Sequence, residues 1–429
     1  MSSSTAAGAP ALAHDRVPNR WLLLVGAVLV QLALGAVYAW SVFGKALQAP
    51  ASALHLSKTE AAVPFETAVA MIFVASFLAG RLQDKRGPRT VALVGVVLYG
   101  LGIMLSSFAR DAGQLWLLVL GYGVIGGFGL GMAYIVPIAM LQKWFPDKAG
   151  LITGIAVGGF GFGAVITAPL ATAMIEKDPA HPTAPFLWLG LAYLVAGLIG
   201  AAMFRNPPQG WSPVGTPARS VGLPQASTDQ VTQFTQAEAL RTPQWYLLTA
   251  ILTLAVVAGI SLISVAAASA TDIAGFSKAG AAALVGMMGL FNGAGRILWA
   301  AVSDKIGKMP AFIGILVLEG LALVALPHAT SAVTFAILAA IVYTCYGGAF
   351  GTMPSTAGKF FGTKYAGGIY GLMLVAWSIG GVVGPLLAAQ LIGDGKNYTL
   401  AYTTLGVVAL VGAVIPLITK APRKVMPRA

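Results

Sequence analysis

Charge is what this sequence has least of. Only 9% of its 429 residues are charged and just 14 are acidic, whereas soluble globular chains carry about 25% charged residues. That is too little to cover the surface of a 43.9 kDa globule. A single cysteine, Cys345, excludes a disulfide scaffold and a thiolate metal cluster. The four histidines (His14, His55, His181 and His328) fall at loops or at the ends of apolar stretches, so neither a metal site nor a cofactor is expected. No nucleophile–base or paired-carboxylate constellation is present, which argues against an enzyme. Hydrophobic residues, in contrast, reach 57% with a mean hydropathy of +0.82. That composition excludes a disordered chain and predicts an all-α polytopic membrane protein.

A helix needs about 20 apolar residues to cross a bilayer. Twelve such stretches are predicted, at roughly 21–46, 61–83, 88–109, 113–141, 149–174, 184–204, 244–269, 279–302, 309–327, 330–356, 366–392 and 398–419. The segment before Trp21 is Ser/Ala-rich and then polar, without an apolar core, and does not read as a cleaved signal peptide. Lys and Arg are retained on the cytoplasmic face. With the N-terminus inside, nineteen of the 26 cations fall on cytoplasmic segments and six outside, leaving Arg296 on neither side. Both termini are therefore expected in the cytoplasm, in a cell inner membrane. The net charge of +12 follows from this topology and calls for no nucleic acid.

The longest interruption, 205–241, holds Pro207, Pro208, Pro213, Pro217 and Pro224 and reads as a cytoplasmic linker. It divides a first six-span unit (21–204) from a second (242–419), with tails at 1–20 and 420–429. The halves echo each other. Arg20-Trp21 is matched by the stretch from Arg241 to Trp245, Gly80 to Arg89 by the stretch from Ala300 to Lys308, and Lys143 to Lys148 by the stretch from Lys359 to Lys364. The offsets are 224, 220 and 216 residues, nearly constant. Two parallel six-helix repeats resemble the architecture of major facilitator transporters, in which substrate binds near the midplane between the halves. The loop Gly80-x-x-x-Asp84-Lys85-Arg86-Gly87-x-Arg89 is similar to that superfamily's signature, and its core recurs at Asp304-Lys305-Ile306-Gly307. Asp84 can accept hydrogen bonds at a neighbouring helix N-terminus while the cations hold the cytoplasmic face.

Three glycine runs carry no nucleotide chemistry. Gly121-Tyr122-Gly123-Val124-Ile125-Gly126 spells G-x-G-x-x-G, but it lies inside an apolar span, follows no strand and precedes no acidic ribose ligand. Together with the runs 127–131 and 158–163 it reads as close helix packing. Pro137, Pro169, Pro354 and Pro385 fall inside spans 4, 5, 10 and 11, where broken helices are expected to flank a cavity or bend.

Arg296 is the residue that does not belong in oil. Eight positions before Asp304, it lies about 12 Å inside the boundary. An arginine near the bilayer centre costs about 2.5–17 kcal/mol, so it needs a partner. Two partners are open: Glu319, mid-span in helix 9, as a structural ion pair, or an anionic ligand whose carboxylate matches the guanidinium fork. By the same counting Tyr134 and Tyr346 lie at comparable depth, Asn292 is one turn from Arg296, and Tyr38 sits toward the outside. Each of these is equally readable as a core or interface residue.

The patches Phe291-Asn292-Gly293-Ala294-Gly295-Arg296, Tyr38-Ala39-Trp40-Ser41 and Lys143-Trp144-Phe145-Pro146-Asp147-Lys148 resemble the oxalate:formate antiporter family and its monocarboxylate-transporter relatives. That resemblance implies anion transport, with Arg296 as the carboxylate ligand and Tyr134 lining the site. Two departures stand out. Where the oxalate transporter carries a second cation in helix 11, this chain has Trp377, and no Lys or Arg lies between Lys364 and Lys396. Where monocarboxylate transporters of mammalian type place an aspartate and a helix-1 lysine, it has Asn292 and an uncharged span 1.

The expectation is a secondary transporter moving a small lactate- or pyruvate-like monocarboxylate with a proton, by alternating access. Arg296, Asn292, Tyr134, Tyr346 and Tyr38 are the expected ligands, and Glu319 is the expected proton carrier. Gly80, Asp84, Arg86, Gly87 and Asp304 form the gating loops. Formate/oxalate exchange is the runner-up, and a non-transporting carboxylate sensor the third reading.

Overall fold

The computed structural model describes residues 18–208, 211, 233–393 and 395–422. The tail residues 1–17 and 423–429, and most of the expected linker, lie outside the described residues. Among the described residues the chain is helical throughout, with no strand. Twelve helices are long and apolar enough to cross a membrane: α1 Arg20–Leu47, α2 Thr59–Arg86, α3 Pro88–Ser106, α4 Ala112–Trp144, α5 Ala149–Ile175, α6 Pro185–Ala202, α7 Pro243–Ala274, α8 Ala279–Ile306, α9 Lys308–His328, α10 Ala332–Phe361, α11 Ala366–Ile392 and α12 Tyr398–Ile418. Each falls on one of the stretches predicted from composition. Large apolar side chains such as Leu101, Ile166, Ile199, Leu318 and Val411 point outward, which suits a lipid solvent and not water.

Local chemistry sets the helix ends. Ser57 opens α2 with a capping box closed by Glu60, and Ser277, Ser331 and Asn397 cap α8, α10 and α12. Between α2 and α3 the chain reverses at Gly87 (φ 81°), and between α8 and α9 at Gly307 (φ 95°). With ψ near 160° at both, only glycine adopts this backbone readily. The sequence echo is thus an echo in backbone geometry.

The breaks do not fall at the mid-span prolines. Pro137, Pro169 and Pro354 lie within helices α4, α5 and α10, and Pro385 within the second part of α11. Instead α1 tightens into a 3-10 turn at Ala36–Ala39, α4 widens into a π-helical stretch at Val119–Gly126, and α11 breaks at Leu374. The π stretch contains the Gly121–Gly126 run, whose three glycines make the backbone easier to loosen.

The packing pairs repeat six helices apart. Helix α1 packs on α5 and α6, α2 on α4, and α3 on α4 and α6; likewise α7 packs on α11 and α12, α8 on α10, and α9 on α10 and α12. The first six helices meet the last six chiefly through α5 on α8 and α2 on α11. Arg296 is carried on the first of these contacts.

Candidate functional site

Helix α8 is wedged between α5 and α10, and glycine allows the fit. A Cβ at Gly158 would lie 2.9 Å from Ile297 Cγ1, at Gly161 2.5 Å from Gly293 Cα, and at Gly351 2.7 Å from Arg296 Cα. All three are closer than real Cβ atoms approach, so the glycine run at 158–163 is a packing surface.

The wedge seals Arg296 at the junction of the two halves, with 1% of its surface exposed. Nε donates to Asn292 Oδ1 at 3.2 Å and Nη2 to Tyr38 Oη at 3.4 Å. Nη1 donates to nothing. The guanidinium carbon stands 5.4 Å from the Phe160 ring centre and 5.1 Å from that of Phe350, and these cation–π contacts partly offset desolvation. Among the described residues no carboxylate forms an ion pair with it. Glu319, the acid open as a structural partner, is fully buried with neither oxygen hydrogen bonded. It faces the slot left by Gly259, where a Cβ would lie 2.7 Å both from Glu319 Oε1 and from Tyr346 Cβ.

Four phenols surround the cation: Tyr38, Tyr134, Tyr346 and Tyr370 are its electrostatic neighbours. Tyr38 reaches deeper than its place in the sequence indicates, because the 3-10 turn carries it; its hydroxyl lies 3.5 Å from that of Tyr346. The hydroxyls of Tyr134 and Tyr370 and the indole nitrogen of Trp377 make no well-aligned hydrogen bond. Counting depth along helices found Arg296, Asn292, Tyr134 and Tyr346 but set Tyr38 toward the outside; the fold brings all five together. It missed Phe160, Phe350 and Tyr370, because an aromatic in an apolar span gives no sign of which way it faces. Trp377 signalled itself only as an uncharged residue at a position of interest. A cavity of about 130 Å³ adjoins the cluster, lined by Tyr38, Tyr346, Phe65, Ile260 and Ile263 among others. That is close to the ~150 Å³ that holds a benzene-sized guest.

On the other side of Arg296 the halves are closed at the end carrying the Asp84 and Asp304 loops. A Cβ on Gly80 would lie 2.6 Å from Gly368 N. Gln142 Nε2 donates to Pro354 O at 3.1 Å. Asp304 Oδ2 accepts from Leu151 N at 2.9 Å, which places a carboxylate at the N-terminus of α5, where the helix dipole favours it. Asp84, expected in that type of role, instead faces Lys143 Nζ at 3.8 Å, and its Oδ1 accepts no hydrogen bond. Arg86 is exposed. Arg81 and Gly368 are joined through Gln236, which opens the short linker helix Gln236–Leu240; Arg81 Nε donates to its Oε1, and its Nε2 donates to Gly368 O at 2.7 Å.

A twelve-helix bundle with repeated packing pairs, a cationic site between its halves and a cavity beside it defines the class: a membrane transporter, not an enzyme. The Major Facilitator Superfamily model matches residues 29–385, and the chain belongs to that family. It is 27% identical to the oxalate:formate antiporter of Oxalobacter formigenes, over 95% of this chain and 94% of that one. It is 26% identical to the apicoplast pyruvate carrier 1 of Toxoplasma gondii (95% and 91%) and 26% identical to monocarboxylate transporter 13 of Rattus norvegicus (77% and 73%). The fold matches the Escherichia coli fucose:proton symporter with a TM-score of 0.70 at 16% identity, over 94% of this chain and 98% of that one.

Proposed function

We propose that the chain is a secondary transporter of a small monocarboxylate, lactate- or pyruvate-like, carried together with a proton across a cell inner membrane with both termini in the cytoplasm. The observation that carries the reading is Arg296, a buried cation at the junction of the halves with no acidic partner among the described residues and one nitrogen without a well-aligned hydrogen bond. One fixed charge is neutralised by one carboxylate. A dianion would leave roughly one charge uncompensated in a medium of low dielectric, which weighs against oxalate. Asn292 and Tyr38 orient the guanidinium, Tyr134 and Tyr346 supply further hydrogen bonds, and the apolar cavity takes the short alkyl end. The two six-helix units rock about this site, with the Gly80–Gly87 and Asp304 loops as the cytoplasmic gate.

Proton coupling rests on energetics. Moving an anion inward against the membrane potential costs about 2.3 kcal/mol per 100 mV, and a co-transported proton removes that cost. Glu319 is the carrier in this scheme. An ionised carboxylate without a hydrogen-bond partner in such surroundings is expensive, so it discharges only when the site opens to water. The names of the relatives, a pyruvate carrier and a monocarboxylate transporter among them, support the substrate class. The test is accumulation of labelled lactate in proteoliposomes with an acid exterior. Accumulation that collapses with the pH gradient is expected. Uptake that ignores the gradient and requires an internal anion contradicts symport and favours the exchange named for the Oxalobacter relative.

A further inference from the structure

We propose that Trp377 determines specificity, its indole N–H donating to the oxygen on carbon 2 of a 2-oxo or 2-hydroxy monocarboxylate whose carboxylate is held by Arg296. The inference rests on the transport reading above and deepens it by naming the residue that reads the second oxygen of a lactate- or pyruvate-like acid.

Trp377 has 2% of its surface exposed, and its Nε1 has no hydrogen-bond partner. A buried donor left without an acceptor costs free energy, and nearly all buried polar groups in folded proteins avoid that state. The indole is held by its neighbours. Its centre lies 5.3 Å from the Phe350 ring at 68° and 5.8 Å from the Phe160 ring at 80°, and these same two rings flank the Arg296 guanidinium. The phenol rings of Tyr38 and Tyr134 each lie 6.2 Å away. Trp377 and Arg296 therefore share one aromatic cage, reached from α11 and from α8.

The donor inventory sets the ligand's chemistry. Arg296 Nη1 and Trp377 Nε1 donate and cannot accept, whereas the hydroxyls of Tyr134 and Tyr370, which neighbour each other, do either. A carboxylate engaged by the guanidinium fork presents its oxygens toward α8. The indole donor enters from a different helix and calls for another acceptor oxygen on the same small molecule. A carbonyl or hydroxyl on carbon 2 supplies it, adjacent to the carboxylate. The cavity beside the cage, which Tyr38 joins to Arg296, is lined mainly by apolar groups, Phe65, Ile260 and Ile263 among them, with Ser264 at its wall, and suits a methyl end. A second carboxylate in place of the carbon-2 oxygen would meet the indole without a cation to balance it.

The experiment compares pyruvate with propionate, which lacks the second oxygen, as competitors of labelled pyruvate uptake in proteoliposomes of the full chain. In the unaltered protein pyruvate is expected to compete about tenfold better than propionate, the discrimination of one buried hydrogen bond. Trp377→Phe is expected to abolish that preference by weakening pyruvate about tenfold while leaving propionate unchanged. Trp377→His, which keeps a ring N–H, is expected to retain part of it. Equal weakening of both acids by both substitutions, or an intact preference in Trp377→Phe, overturns the role of the indole. Failure of the underlying reading looks different: Arg296→Ala would then transport both acids as the unaltered protein does.

Discussion

A guanidinium in a membrane interior is tolerated only with compensation, and Arg296 has a partial set: one amide oxygen, one phenol and two aromatic faces. These contacts leave the cation undischarged, and in the proposed function an arriving carboxylate completes the set. Arg296→Lys keeps the charge but loses the planar fork and the fit between two rings. Initial uptake of labelled lactate below saturation is expected to fall at least tenfold, and a rate within twofold of the unaltered protein would show that point charge alone suffices. Tyr134→Phe removes one hydrogen-bonding group whose loss is worth about 1 kcal/mol, so the concentration for half-maximal uptake is expected to rise about fivefold. At this scale Arg296 and Asn292 were legible, because each is an anomaly in an apolar stretch, whereas Tyr370 was missed. The aromatic walls were not legible either, since Phe160 and Phe350 differ from lipid-facing phenylalanines only in where their helices turn them.

Helices were legible as elements because length and hydropathy suffice to mark a span, and the loops between them because the Asp-Lys-x-Gly core repeats. Their breaks were not. Proline draws attention as a helix breaker, yet Pro137, Pro169, Pro354 and Pro385 all sit inside helix. The break that matters most lies at Ala36–Ala39, where no proline stands and where the 3-10 turn aims Tyr38 at Arg296. Tertiary packing, not local propensity, decides such a site. The proposed gate is an element-scale device as well. Gly80 lets α2 touch the start of α11, so Gly80→Val is expected to prise the two apart. Alkylation of a cysteine placed at Ala139, whose Cβ lies near Gly367, would then be faster than in the Gly80 background. Equal rates in the two backgrounds would mean that the contact at Gly80 does not hold this end shut.

For the whole molecule, twelve helices and two repeats were readable from hydropathy and from offsets of 224, 220 and 216 residues. The repeat of packing pairs six helices apart adds what no sequence count supplies: the halves meet through α5 on α8 and α2 on α11, so rocking one half against the other moves both walls of the Arg296 site. Glu319 lies behind that wall, across the Gly259 slot from Tyr346. Glu319→Gln keeps the volume and removes the titratable group. Proteoliposomes of this variant are expected to exchange labelled for unlabelled lactate normally while failing to accumulate it under an acid-outside gradient. Undiminished accumulation would take the proton elsewhere.

The central claim is that Arg296 binds the carboxylate of the transported acid. Equilibrium binding of labelled lactate to the purified chain, with and without Arg296→Ala, reads this directly and needs no gradient or turnover. Saturable binding in the unaltered protein, lost in Arg296→Ala while the variant remains monodisperse in detergent, is the result predicted. Binding of undiminished affinity in Arg296→Ala would contradict it.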